Sequence, residues 1–338
     1  MAISSENRLG LIPIGFLPFE VVSSSNMGVT RVIVETLGSF DVRVGKSSAV
    51  PTAKKPRMAL ALLLLNEGRV VPAASLIEEL WGEQPPRSAM TTLQTYVLQL
   101  RKAFARALKV SVTEVGQRVL VNRHGGYVLH LDPAEYDLRE FKHLAAAGNS
   151  ALRRGDLDEA VRLLRRALDL WSGPALADVE HGRLIAAEVV GLEQSWVTAL
   201  ETLYCAELDR GRHREVLGDL ACLATKHPFH EQLHALHILA LCRSGQRHYA
   251  LEAYRRMRAA MQRELGIDPC QMLQRLQQAV LEGDPWLYGT TSVRALLNHY
   301  SGARRSPGDG ALGRHVPAEG PGIPVQGRVS VQLNGACS

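Results

Sequence analysis

The stretch Ser88–Arg106, SAMTTLQTYVLQLRKAFAR, leaves this chain few folds to choose from. Leu93, Val97, Leu100 and Phe104 fall at i, i+4, i+7 and i+11, one stripe along a helix. Thr91, Gln94, Thr95, Gln99, Arg101 and Lys102 lie largely off that stripe. A helix so built buries its back and keeps a polar, cationic front. Ser88 stands at the N-cap position, and the helix it opens is roughly 30 Å long.

The flanks narrow the choice. Upstream, VIVETLGSFDVRVG alternates around a Gly-Ser break and predicts two short strands. PRMALALLLLNEG is apolar nearly all round, a buried helix opened by Pro56 and stopped by Gly68. AASLIEELWG is a short amphipathic helix with Leu76, Ile77 and Leu80 inward, and GEQPPR is a loop. Downstream, RVLVNRHGGYVLHL predicts two strands, Arg118–Asn122 and Tyr127–Leu131, around a tight turn. Strands, three helices and a hairpin are the order of a winged helix-turn-helix, here over residues 31–132.

Charge follows the same division. Between Arg31 and Asp132 there are 14 Lys/Arg against 8 Asp/Glu, or +6, within a whole-chain charge of +5. Between Pro133 and Gly289 the balance is 19 against 22, or −3. The positive half is the one that carries the polar-fronted helix, as attraction to phosphate requires.

The second half, residues 133–286, is predicted all-helical and internally repeated. LRRGDLDEAVRLL, LDRGRHREVLGDL and CRSGQRHYALEAY place Gly155, Gly211 and Gly245 in one local pattern. Gly245 follows Gly211 by 34 residues, the tetratricopeptide period. Ala160, Val216 and Ala250 then hold the small position where paired helices approach closely. Gly155 precedes Gly211 by 56 residues, so an insertion around SGPALADVEHG interrupts the first pair. The fold expected is mainly α with a small β part: a winged helix-turn-helix followed by an all-α, tetratricopeptide-like domain.

The ends read differently. Residues 1–30 lack a sustained period and are expected to be poorly ordered, with Met27 an alternative first residue. Residues 287–338 are rich in Gly, Pro and Arg and are expected to form a disordered tail. The longest apolar run, Met58–Leu65, falls short of the roughly 20 residues that span a bilayer. Five scattered cysteines (205, 222, 242, 270 and 337) without a C-x-x-C pair argue against a disulfide framework, and four of them, at apolar or small-residue positions in or beside predicted helices, fit packed free thiols in a reducing cytoplasm.

His230-Glu231-Gln232-Leu233-His234 matches H-E-x-x-H, the zinc-protease spacing, but three fixed residues are weak in a chain with 12 histidines. The segment also leads into the Gly245 repeat, with Leu233, Leu236, Leu239 and Ala240 as a packed face, so it reads as structural. No metal, cofactor or catalytic constellation is expected.

LGSFDVRVG, ELWGEQPPRSAMTTLQTYVLQLRKAF, HGGYVL, EYDLREFKHL and ALCRSGQRHYALEAYRRMRAAMQRELGIDP together resemble the Streptomyces antibiotic regulatory protein family. The likeness runs from about Val34 to Glu282. It implies an OmpR-type winged helix and a bacterial transcriptional activation domain. It also implies a pathway-specific activator that binds direct repeats in promoter DNA and recruits RNA polymerase through its sigma factor. Larger relatives add a nucleotide-hydrolysing domain, whereas here Gly45-Lys46-Ser47 has Phe40 where the first glycine of a phosphate loop belongs.

In that geometry the long helix enters the major groove. Gln94 offers a bidentate pair to adenine, and the methyls of Thr91 and Thr95 meet thymine. Gln99 and Leu98 are secondary, while Arg101, Lys102 and Tyr96 are placed on phosphates. Arg123 matches the wing position that enters the minor groove, supported by Arg118. Arg87 flanks the preceding loop, and Trp81 is implied to donate its indole N–H to a phosphate. For Tyr96 and Trp81, plain packing is the alternative. The protein is expected to self-associate weakly in solution and to dimerise head to tail on DNA. The other readings are a repressor using the same winged helix, or a helical-repeat scaffold with a nonspecific basic domain.

Overall fold

A computed structural model describes residues 31–131, 134–289 and 291–301; the expected N-terminal extension and the tail beyond Ser301 lie outside the described residues. The first strands are β1 (Val32–Glu35), β2 (Asp41–Val44) and β3 (Ser47–Ser48). Val32 and Val34 pair across from Val44 and Val42 and face the core, as the period-2 pattern requires. Then come α1 (Lys54–Leu65), β4 (Val71–Pro72), α2 (Ala73–Trp81) and α3 (Ala89–Leu108). Helix α1 buries eight of its residues, from Pro56 to Leu64.

Between α3 and the hairpin lies α4 (Val112–Arg118), which the alternating pattern did not disclose. Ser111 caps it by accepting from the Glu114 N–H at 3.1 Å, and Val115 is its single fully buried anchor. The hairpin strands are therefore shorter than expected: β5 (Leu120–Arg123) and β6 (Gly126–Leu129). β4 adds to β6, so the wing is a three-stranded sheet in the order β4-β6-β5.

The expected boundary at 132/133 divides the sequence but not the packing. β7 (Ala134–Tyr136) pairs in parallel with β1 and closes the first sheet in the order β3-β2-β1-β7. The helical half follows as α5 (Asp137–Arg154), α6 (Leu157–Asp169), α7 (Arg183–Asp209), α8 (Leu217–Lys226), α9 (Glu231–Arg243), α10 (Arg247–Leu265) and α11 (Gln271–Glu282). Gly155, Gly211 and Gly245 share a left-handed backbone, with φ of 80°, 79° and 80°. At each, the glycine N–H donates three residues back and the next N–H five residues back, as in Asp156 to Ala151, Arg212 to Glu207 and Gln246 to Leu241. Three identical helix stops, with Ala160, Val216 and Ala250 buried beyond them, give the repeat a geometric basis.

Residues 287–289 and 291–301 depart from the expected tail. A 3-10 turn at Pro285–Leu287 leads to α12 (Val293–Ser301), which buries Leu296, Leu297 and Tyr300. The guanidinium of Arg243 fixes this segment by donating to the carbonyls of Leu287 (3.0 Å) and Thr291 (3.1 Å). The buried residues of α12, Val293, Leu296, Leu297 and Tyr300, fall at i, i+3, i+4 and i+7, a helical period that the Gly- and Pro-rich sequence after Ser301 obscured.

Two hydrophobic cores result. One joins the winged helix to α5, α6 and one side of α7 as far as Ala206; the other runs from the opposite side of α7, beginning at Val197, to α12. Among the described residues no helix is long and apolar enough to cross a membrane.

Candidate nucleic-acid interface

Leu93, Val97, Leu100 and Phe104 are buried on α1, α2 and β2, which sets the rotation of α3 about its axis. Thr91, Gln94, Thr95, Leu98, Gln99 and Lys102 are thereby turned outward and exposed. The helical half meets the winged helix through α1, α2 and the first sheet, so among the described residues this front stays uncovered. The Thr95 hydroxyl donates to the Thr91 carbonyl at 3.0 Å, so its methyl is the group left for contact.

The start of α3 suits an anion. Ser88 occupies the N-cap position but makes no side-chain cap bond, and the first turn contains no acid. The Ala89 N–H donates to the Pro86 carbonyl at 2.9 Å, but among the described residues the other first-turn N–H groups and the positive end of the helix dipole are left unneutralised. Further along, Arg101, Lys102 and Arg106 are the only charges on α3, and all are positive.

Arg101 departs from its expected place on a phosphate. Its guanidinium donates to the Leu120 carbonyl, at 3.0 Å from Nε and 2.8 Å from Nη2, and to Asn122 Oδ1 at 3.2 Å. It therefore ties α3 to the wing. Burial pushes the Tyr127 hydroxyl up, partly offset by this nearby cation. The wing turn is a two-residue loop, with His124 at φ 47° and Gly125 at φ 75°, so both central residues are left-handed. It holds Asn122, Arg123 and His124 exposed beside α3. Arg118 lies on α4 rather than on a strand and pairs with Glu114 at 3.2 Å.

Trp81 and Tyr96 are half-buried and stack with centroids 6.1 Å apart and planes 13° apart. Lys55 Nζ sits 4.9 Å from the Trp81 ring centre and donates to the Leu80 carbonyl. Packing accounts for both rings, while the Trp81 indole N–H has no acceptor among the described residues. Arg87, Gln94, Gln99, Lys102 and Arg123 likewise make no side-chain bond with described residues, and all are exposed. Two further polar groups join this surface without a signal in the sequence: Lys55 at the Trp81 ring and Asn122 beside Arg101.

The H-E-x-x-H residues have dispersed partners. His234 Nε2 lies 3.1 Å from the Pro228 carbonyl, Glu231 accepts from the Cys270 N–H at 2.7 Å, and His230 faces Glu201 at 3.5 Å. Cys205 and Cys242 are buried free thiols, each pushed up to about 12 by desolvation, whereas Cys222, expected to be packed, is exposed.

Residues 47–129 match the family described as "Transcriptional regulatory protein, C terminal", and residues 136–281 match "Bacterial transcriptional activator domain". The chain is 44% identical to the regulatory protein DnrI of Streptomyces peucetius, over 75% of this chain and 93% of that one. It is 34% identical to the transcriptional regulator RedD of Streptomyces coelicolor, over 76% of this chain and 72% of that one. The regulatory protein AfsR of the same organism is 42% identical, but this chain covers only 23% of its length. Among solved structures, Mycobacterium tuberculosis EmbR in complex with a low-affinity phosphopeptide has the same architecture. Its TM-score is 0.71 at 30% identity, covering 80% of this chain and 69% of that one. A winged helix with an open front, joined to a matched activator domain, places the chain in the Streptomyces antibiotic regulatory protein family of transcriptional regulators.

Proposed function

We propose that this protein is a sequence-specific activator of antibiotic-pathway genes that binds direct repeats in promoter DNA and recruits RNA polymerase. One observation carries this reading: a helix front of unpaired donors and methyls, free of acids, set beside an arginine-tipped hairpin. With α3 in the major groove, Gln94 pairs with adenine, Thr91 and Thr95 meet thymine methyls, and Gln99 is secondary. Arg87, Lys102, Arg118 and the Trp81 N–H hold backbone phosphates, and Arg123 enters the adjoining minor groove. Arg101 and Tyr96 act at one remove, bracing the wing and the Trp81 ring.

Direct repeats orient two protomers head to tail, a contact that DNA itself terminates. The helical half then presents its surface to polymerase, through the sigma factor, in a cytoplasmic complex at the nucleoid. Footprinting of promoter DNA with and without RNA polymerase tests the reading. An activator protects two repeats and extends the polymerase footprint. A repressor excludes polymerase from the same DNA. Protection without sequence preference would leave only the scaffold reading.

A further inference from the structure

We infer that the segment Ser172–Gly182, which interrupts the helical repeat, is a coupling element. It holds the DNA-reading head at a fixed angle to the helical half, with Glu79 as its clasp. The inference rests on the DNA-binding reading above, because it assigns what the fixed angle is for.

Glu79 belongs to α2, directly behind α3, yet it is buried at 3% exposure. Its carboxylate accepts from three N–H groups at the start of α7: Gly182 at 2.6 Å, Leu184 at 2.7 Å and Ile185 at 3.3 Å. The acid that caps the longest helix of the second half is thus supplied by the first half. A Cβ at Gly182 would stand 2.4 Å from the Glu79 carbonyl oxygen and 2.7 Å from its carboxyl carbon, so only glycine permits this approach.

The other end of the segment is held by the loop between β1 and β2 of the head. The N–H groups of Ser172, Leu176 and Ala177 donate to the carbonyls of Leu37, Thr36 and Gly38 at 2.8, 2.9 and 3.0 Å. A Cβ at Gly38 would fall 1.9 Å from Ser172 Oγ. Asp178 accepts from the Phe40 N–H at 2.7 Å and pairs with Arg57 of α1. Between these anchors Leu176 is fully buried with a left-handed backbone, φ 52°. A branched residue keeps that conformation only where its surroundings dictate it.

A repeat array has no need of such a segment, because its helix pairs stack by themselves. A DNA-bound dimer does. If each helical half is fixed to its head, two heads on direct repeats bring the halves together in one orientation, and binding at the second repeat gains from the first.

The test uses the full chain and its Glu79→Gln variant, which turns an amide N–H₂ toward N–H groups that need an acceptor. Amide hydrogen exchange of residues 172–185 reads the clasp without DNA. Titration of duplexes with one repeat and with two reads the coupling. Glu79→Gln is expected to speed exchange at α7's first turn, leave single-repeat affinity within about twofold, and reduce cooperativity on two repeats about tenfold. Glu78→Gln, which loosens only the exposed pair with Arg183, is expected to change neither reading.

Unchanged exchange in Glu79→Gln would overturn the clasp. Faster exchange with undiminished cooperativity would overturn the coupling. If circular dichroism shows that Glu79→Gln does not fold, Asp178→Asn carries the same comparison at the opposite anchor. A parent that ignores the repeats would defeat the DNA reading and the coupling with it, while exchange still judged the clasp alone.

Discussion

The front of α3 and the joint behind it use similar residues in opposite ways. At the joint, Glu79, Asp137 and Asp178 are each committed to backbone N–H groups of another element, at 2.6–2.7 Å for the shortest bonds. At the front, Arg87, Gln94, Gln99, Lys102 and Arg123 are committed to nothing among the described residues. Burying a polar group without a partner is costly, so folding satisfies the joint at once. The front remains in water, where unsatisfied donors cost little and stay available. A recognition surface is distinguished less by its composition than by donors the fold has left unused.

The sharpest way to break this contrast is to cut the back of α3. Phe104 is completely buried, and Phe104→Ala should cost about 3–5 kcal/mol in a denaturant unfolding experiment. Glu201 sharpens the contrast from the other side, as a mostly buried carboxylate that lacks the joint's N–H partners. Desolvation pushes it up to about 7 from 4.5. The folded state therefore holds this proton more tightly than the unfolded one. The resulting stability is complete below pH 4.5 and is lost as pH rises through 7. Burial lowers His230 and acts in the opposite sense, so the parent must be compared with Glu201→Gln. That variant should flatten the decline by on the order of 1 kcal/mol, read from thermal unfolding across the range.

Smaller still is the effect of Lys102→Ala on the open front. It should leave stability within about 0.5 kcal/mol, weaken all DNA alike by about 1 kcal/mol or less, and lower the salt slope by about one unit. Fluorescence anisotropy titrations at several salt concentrations measure both DNA effects.

What the sequence disclosed and what it hid follow from range. The buried stripe of α3, the alternation of β1 and β2, and the three glycine stops are local patterns, legible where they stand. Helix α4 escaped because a seven-residue helix with one buried anchor has no visible period. β7 escaped because its reason lies elsewhere, in the edge of β1. Helix α12 has a helical period of its own, Val293, Leu296, Leu297 and Tyr300, which was obscured by the Gly- and Pro-rich stretch that follows it in the sequence. The same limit explains Arg101. Its charge and position suit a phosphate, and only the folded hairpin reveals the Leu120 carbonyl that it meets. Glu79 carries no mark in the sequence, since nothing nearby identifies the N–H groups of residues 182–185 as its partners.

The central claim is that the outward residues of α3 read base sequence. Selection of duplexes from a random library by the full chain and by Gln94→Ala, side by side, tests it most directly. The account predicts that the parent selects a defined site and that the variant loses preference at one base pair, a discrimination of about 1–3 kcal/mol. An identical selected site for the two proteins would contradict it.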